Sequence, residues 1–299
     1  MGHNACMSVE IHSREVSGAP APSASVMLLR DGALGLEVLL VKRHGNSRVL
    51  GGLHVFPGGK LDAEDRTATG LDRPPAVLQQ ALAEPGLALD MAAGLHVAAL
   101  RETFEEVGLL LHEGLQPGQT AELRARLAAG GRFHEACDQM GLVLQTRQLL
   151  PWSRWITPRM PSVSDRRFDT RFFVARAPTD HAPVLDAHEV TEAVWLRPKE
   201  ALERYWAGEL GLVPVQILTL VQLAAHAHVA SALQQAAKNP PPLIEPEPFD
   251  VEGQRVICYP GDPAHPVRQP VWTGPTRLTW RNRRFEPEGG LAALLPAGL

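Results

Sequence analysis

Apolar residues recur along the chain with two different spacings. Short, nearly continuous apolar runs at residues 24–29 and 37–42 flank Arg30-Asp31-Gly32, a turn signal, and predict two strands. A third run, 53–56, stops at Pro57-Gly58-Gly59. The strongest pattern is helical. Val97, Leu100, Phe104, Val107 and Leu111 alternate by three and four positions, one apolar face of a helix over residues 95–111. Shorter helices are expected near 76–83, 119–129 and 134–140, and strands at 154–157, 171–175 and 192–196. Pro198 opens a helix over 198–207 in the manner of a first-turn proline. The Ala/Leu/Gln-rich stretch 213–237 reads as one long helix, ended by Asn239-Pro240-Pro241-Pro242. Beyond it runs a Pro-rich tail with two strand-like segments, 255–259 and 277–281.

At 299 residues the chain has room for one elaborated domain or two modest ones. Residues 1–20 read as a flexible lead-in, 21–238 as the main domain, and 239–299 as an extension. Lys plus Arg number 29 against 33 Asp plus Glu, which disfavours a polybasic nucleic-acid binder or a membrane-attracted surface. Cys6, Cys137 and Cys258 form neither a disulfide framework nor a thiolate zinc site, and fit a reducing compartment. No apolar run approaches a membrane span and the first residues lack a signal-peptide core, so a cytoplasmic location is expected.

Chemistry concentrates in Arg101-Glu102-Thr103-Phe104-Glu105-Glu106-Val107-Gly108-Leu109. On a helix, Glu102, Glu105 and Glu106 fall within an arc of about 100°, opposite the apolar face. Like charges at this spacing destabilise a helix, and a bound divalent cation reverses that; hard oxygen ligands suit Mg²⁺ or Mn²⁺. Arg101 can reach Glu105 and hold it. A solvated acidic face is the plainer alternative. The upstream loop Phe56-Pro57-Gly58-Gly59-Lys60-Leu61-Asp62 shifts the balance, because its glycines let backbone approach a ligand or metal closely.

These residues resemble the nudix box: Gly59, an acid six positions on (Asp65), then Arg-Glu-x-x-Glu-Glu-x-Gly-Leu at 101–109. Thr103 stands at the box's aliphatic position, Asp65 stands where the box has Glu, and 35 residues rather than seven separate Asp65 from Arg101. This combination resembles the peroxisomal-type coenzyme A diphosphatases and their bacterial relatives, whose box carries a comparable insertion. An upstream run is similar to the family's coenzyme A signature, with Arg43, Arg48 and Gly52 in register ahead of Phe56-Pro57-Gly58-Gly59. Its two guanidinium groups suit bidentate phosphate binding, although either could instead pair with surface acids.

The resemblance implies a nudix α/β/α sandwich with a mixed sheet, a helical insertion (66–100) inside the box, and a C-terminal helix plus tail. It implies metal ligands among Glu102, Glu105, Glu106, Asp65 and Gly59, and substrate contacts from Arg43, Arg48, Phe56, Gly58 and Arg167, with Arg101 in a structural role. Glu189, in the loop before strand 192–196, is the candidate extra ligand or general base; the alternative is a solvent-exposed turn residue, and His188 beside it is a second candidate. Trp155 and Phe168 are weighed as adenine stackers against core packing, and Arg166, Arg167 and Arg171 as phosphate binders. The implied activity is metal-dependent hydrolysis of coenzyme A or acyl-CoA to 3′,5′-ADP and (acyl-)phosphopantetheine. NADH, ADP-ribose or another nucleoside diphosphate derivative is the competing substrate class, and an inactive binding module the rival of another kind. The implied partner is a small nucleoside diphosphate, without nucleic acid or membrane, and with a homodimer left open.

Overall fold

A computed structural model describes residues 11–47, 49–178 and 183–295. Arg48, Cys6 and both extreme ends lie outside the described residues. The first half holds strands β1 (Ala21–Gly32), β2 (Gly35–Arg43), β3 (His54–Val55) and β4 (Gly58–Lys60), then helices α1 (Pro75–Leu82), α2 (Leu89–Val107), α3 (Gln119–Ala128) and α4 (Phe133–Gln139). Strands β5 (Leu150–Ile156), β6 (Phe168–Arg176) and β7 (Val190–Leu196) follow, with helices α5 (Pro198–Trp206), α6 (Pro214–Leu223) and α7 (Val229–Lys238). The tail contributes β8 (Leu243–Ile244), β9 (Glu247–Val251), β10 (Gln254–Cys258), β11 (Arg277–Arg281), β12 (Arg284–Glu286) and α8 (Leu291–Leu294).

Strands β3, β2, β1, β6, β5 and β8 lie side by side, with β4 also paired to β1 and β7 to β2. The sheet is mixed: β1–β6 and β5–β8 are parallel, while the other pairs are antiparallel. Alternation along the strands divides the core. Ala24, Val26 and Leu28 of β1, Leu39 and Val41 of β2, and Phe173 of β6 pack on the α2 side. Met27, Leu29, Val38, Leu40, Phe172 and Val174 pack against α5, α6 and α7. Both faces are therefore covered, which is why these strands read as unbroken apolar runs. The result is an α/β/α sandwich.

Helix α2 begins at Leu89, six residues before the expected start, and stops at Val107. Gly108 ends it in the left-handed region (φ 67°), donating its N–H to the Phe104 carbonyl at 2.8 Å. Leu109, Leu110 and Leu111 remain buried beyond the helix, so their apolar character reflects a buried exit rather than another helical turn. Most of the insertion's second half is thus the buried start of this helix: Leu95, Val97, Ala98 and Ala99 are fully enclosed. Thr103, at the box's aliphatic position, is also enclosed, and its hydroxyl donates to the Ala99 carbonyl at 2.7 Å.

Residues 213–237 form two helices, not one. Tertiary hydrogen bonds replace the helical ladder at the break: the Leu36 N–H donates to the Ala227 carbonyl (3.0 Å), and the Val229 N–H to Asp31 Oδ1 (2.8 Å). Part of the expected flexible lead-in is also held, since His12 and Val16 donate their N–H groups to the Ser162 and Arg159 carbonyls. The Pro-rich tail adds β8 to the main sheet and builds a second antiparallel sheet in the order β12-β11-β10-β9. No helix among the described residues is long and apolar enough to cross a membrane.

Candidate functional site

Three pieces of chain meet at the candidate site: β4 with the turn before it, the last turns of α2, and the loop before β7. Leu100, Phe104 and Val107 anchor α2 in the core, which turns Glu102, Glu105 and Glu106 toward β4 and the surface. Glu106 is 1% exposed and accepts from the Gly58 N–H (3.1 Å) and Arg43 Nη1 (3.3 Å). Burial pushes its carboxyl up to about 8, against the pull of Arg43. Glu102 is likewise raised by burial to about 7, opposed by Arg101, whose Nη1 lies 2.8 Å from Glu102 Oε1.

Glu189 completes a trio with these two. One carboxylate oxygen from each of Glu102, Glu106 and Glu189 lies within 4.8 Å of the others. The loop carrying Glu189 is tied to the end of α2 by Val184 N–H to Val107 O (2.9 Å) and Asp186 N–H to Glu106 O (3.2 Å). Three ionised carboxylates this close repel one another by roughly 3 kcal/mol per pair at an effective dielectric constant near 20. A hard divalent cation suits this all-oxygen donor set. Two ligands on opposite sides of Mg²⁺ stand about 4 Å apart, so small side-chain rotations close the trio on one ion.

Glu105 falls outside the trio. It is 39% exposed and held on the outer side by Arg101 Nη1 at 3.0 Å. Asp65 is also elsewhere: 2% exposed, it receives Arg101 Nε and Nη2, both at 2.9 Å, and the Asp62 N–H. Three hydrogen bonds, two of them the fork of Arg101, hold both its oxygens, so the shorter acid anchors Arg101 rather than joining the three carboxylates. Arg167 does not line the site's cavity; its Nε donates to the Thr157 and Pro158 carbonyls and its Nη1 to the Gly18 carbonyl. Arg171 is paired with Glu84 and Asp169.

The two glycines of the turn are needed for space. Gly58 has φ 155°, and a Cβ there would overlap the Ala24 carbonyl oxygen across the β4–β1 pair. At Gly59 a Cβ would collide with the Glu102 carboxyl group. Gly59 is not among the positive-φ residues, so alanine fits its backbone. Gly59→Ala is therefore expected to leave the fold intact, displace Glu102, and weaken divalent-ion affinity by roughly 10–100-fold. Calorimetric titration with Mn²⁺ checks this, and unchanged affinity would contradict the placement of Glu102.

A cavity of about 660 Å³ opens beside the trio. Arg43, Gly58, Gly59, Glu102, Glu106, His188 and Glu189 line one part. Phe56, edge-on to Phe172 at 6.4 Å, and Phe168 continue its wall. Trp155 closes it further on, facing Trp272 at 6.0 Å and an interplanar angle of 17°. Sequence reasoning missed the contributions of Pro246, Ile257 and Tyr259 from the tail and of residues 213–216 at the start of α6. An apolar strand run such as Val256-Ile257-Cys258-Tyr259 signals burial but not what it is buried against. His54 and His96 are buried away from the cavity, His96 against Phe173 with burial lowering it to about 4.

A family model described as the NUDT19 Nudix domain matches residues 71–223. An acyl-coenzyme A diphosphatase NUDT19 from Gallus gallus is 27% identical, over 88% of this chain and 80% of its own length. The protein of the same name from Homo sapiens is 31% identical over 66% of this chain; the match spans 63% of that protein, just under two thirds. Among solved structures, a NUDIX hydrolase from Alicyclobacillus acidocaldarius is 30% identical, with a TM-score of 0.57 over 73% of this chain and 97% of that one.

Proposed function

The chain belongs to the nudix hydrolase family, and we propose that it hydrolyses the diphosphate of coenzyme A or acyl-CoA to 3′,5′-ADP and (acyl-)phosphopantetheine with Mg²⁺ or Mn²⁺. The observation that carries the metal chemistry is the trio of Glu102, Glu106 and Glu189 facing a cavity large enough for an extended substrate. The substrate rests on the named activity of the relatives and on Arg43, which stands beside the trio.

Glu102 and Glu106 would hold the cation from α2, and Glu189 from the opposite loop. Such an ion neutralises charge developing on the diphosphate oxygens and acidifies a bound water. Glu189 is the most exposed of the three, and the oxygen it does not give to the cation would be placed to take a proton from the attacking water. Arg43, fixed on Glu106, presents its remaining donors to a phosphate oxygen. Gly58 keeps the Glu106 carboxylate oriented through its backbone N–H. Positioning and charge neutralisation are what phosphoryl transfer chiefly demands.

A hydrolysis screen with product masses tests this reading. The panel is CoA, acetyl-CoA, long-chain acyl-CoA, NADH and ADP-ribose, each with Mg²⁺ and with Mn²⁺. Release of 3′,5′-ADP from the CoA compounds ahead of the others supports it; preference for NADH or ADP-ribose moves the substrate, and silence removes the activity.

The raised carboxyls also predict a pH dependence of metal binding. In the metal-free protein, Glu102 at about 7 and Glu106 at about 8 lie above the ordinary 4.5. Protonation therefore favours the fold fully below about 4.5, and that contribution is lost as pH rises through 7 to 8. A cation must displace those protons, so the thermal stabilisation produced by Mg²⁺ is expected to be larger near pH 8.5 than near pH 6. A shift independent of pH would contradict cation binding at these two groups.

A further inference from the structure

The cavity runs across the main sheet from the carboxylates to the tail. At its metal end Gly58 of β4 pairs with Ser25 of β1. Ser25 pairs with Phe172 of β6, and Thr170 of the same strand pairs with Trp155 of β5. Residues of all four strands line the cavity. Three inter-strand steps of about 4.8 Å, with the two-residue offset from Phe172 to Thr170 along β6, give a span of about 16 Å. A phosphopantetheine arm has about twelve chain bonds between its phosphate ester oxygen and its sulfur, equivalent to about four peptide residues or about 14 Å extended. With its phosphate at the trio, its sulfur would come to within about one bond or two of Trp155, which leaves an attached acyl group beside that residue.

The cavity wall near Trp155 mixes apolar groups with a few polar ones, Thr157, Ser162 and the buried Tyr259 hydroxyl among them. Ile257 of β10 and Tyr259 just after it lie on the tail side, and Val213, Pro214 and Val215 line the same cavity from the α6 side. Trp155 already packs on Trp272 and, edge-on at 5.9 Å, on Tyr259, so it acts as wall rather than as a free stacking face. Gln216 also lines the cavity with its side-chain carbonyl buried and unpartnered, a group that an amide N–H of such an arm would satisfy. The tail is firmly fixed here. Ile244 of β8 pairs with Trp155, and buried Arg255 donates to Ser162 Oγ (2.9 Å) and the Met160 carbonyl (2.7 Å).

We propose that the chamber between the tail sheet and α6 receives the acyl group of an acyl-CoA, and that Ile257 and Val215 set which acyl groups are accepted. This rests on the coenzyme A reading above. The test compares kcat/KM for free CoA, acetyl-CoA, medium- and long-chain acyl-CoA and ADP-ribose, in the wild type and in Ile257→Trp, Ile257→Ala and Val215→Trp. A thermal melt accompanies each variant, and Val215→Trp, on the α6 side of the cavity, carries the test if Ile257→Trp does not fold.

A filled chamber is expected to lower the ratio of kcat/KM for medium-chain acyl-CoA to that for free CoA by about tenfold or more, chiefly through KM. Ile257→Ala is expected to shift the optimum toward longer chains. Equal effects on acylated and free CoA would overturn the proposal. So would a larger loss on ADP-ribose, which would place the nucleoside in this chamber. A wild type that cleaves ADP-ribose or NADH but no CoA compound overturns the substrate reading itself; CoA hydrolysis with an unaltered chain-length profile in the variants overturns the chamber alone.

Discussion

Glu106→Gln is expected to lower turnover by on the order of 10²–10⁴-fold while the protein still folds. Glu106 is the most enclosed member of the carboxylate trio, and its position is fixed from two sides by the Gly58 N–H and by Arg43. Glutamine keeps the volume and one carbonyl acceptor but removes the charge that a divalent ion requires. In the metal-free protein burial opposes that charge, so its loss should not unfold the domain. Glu105→Gln provides the internal comparison. Its side chain stands outside the trio on Arg101, so its loss is expected to cost clearly less. Turnover on the best substrate, Mn²⁺ affinity and a melting curve for both variants decide the matter. Near-normal rates in Glu106→Gln would remove the metal assignment, and a larger loss in Glu105→Gln would relocate it.

The contrast between Glu105 and Glu106 marks where sequence reading stops. Helical periodicity places Glu102, Glu105 and Glu106 on one arc and sets the core stripe opposite them. It cannot say which of the three faces a partner loop, because that depends on where residues 184–189 return to α2. The box spacing pointed to Gly59, and the structure adds the steric reason in the Glu102 carboxyl. Arg167 is expected to touch substrate, whereas its Nε and Nη1 turn to backbone carbonyls of Gly18, Thr157 and Pro158 and it does not line the cavity. Such assignments are tertiary, as is the break between α6 and α7, where Ala-rich sequence offers no local reason to stop. The tail was legible as strand segments and Pro punctuation. Its function as a cavity wall depends on pairing between Ile244 and Trp155, some ninety residues apart in sequence, which no local pattern encodes.

Removal of the Arg101 side chain is expected to give the largest loss of stability at the site. A guanidinium offers five N–H donors. Arg101 makes five side-chain hydrogen bonds: two to Asp65, one each to Glu102 and Glu105, and one to the Lys60 carbonyl. One residue thus ties the short acid after the glycine turn, the end of β4 and two carboxylates of α2 together. Asp65 is 2% exposed, so Arg101→Met would leave a buried, unpaired carboxylate at a cost of about 3–5 kcal/mol, a large part of a typical domain's stability. Arg101→Lys should recover only part, because one ammonium cannot reproduce the planar fork that grips both oxygens of Asp65. The informative variant is the double substitution Arg101→Met with Asp65→Leu. An apolar pair of similar size removes the orphaned charge, so most of the melting temperature should return. Activity should not return with it, because Glu102 and Glu105 have lost the group that positions them. Thermal melts and kcat/KM on the single and double variants separate the two contributions. Recovery of both together would mean that Arg101 serves the fold alone, whereas stability without activity assigns it the positioning of the carboxylates.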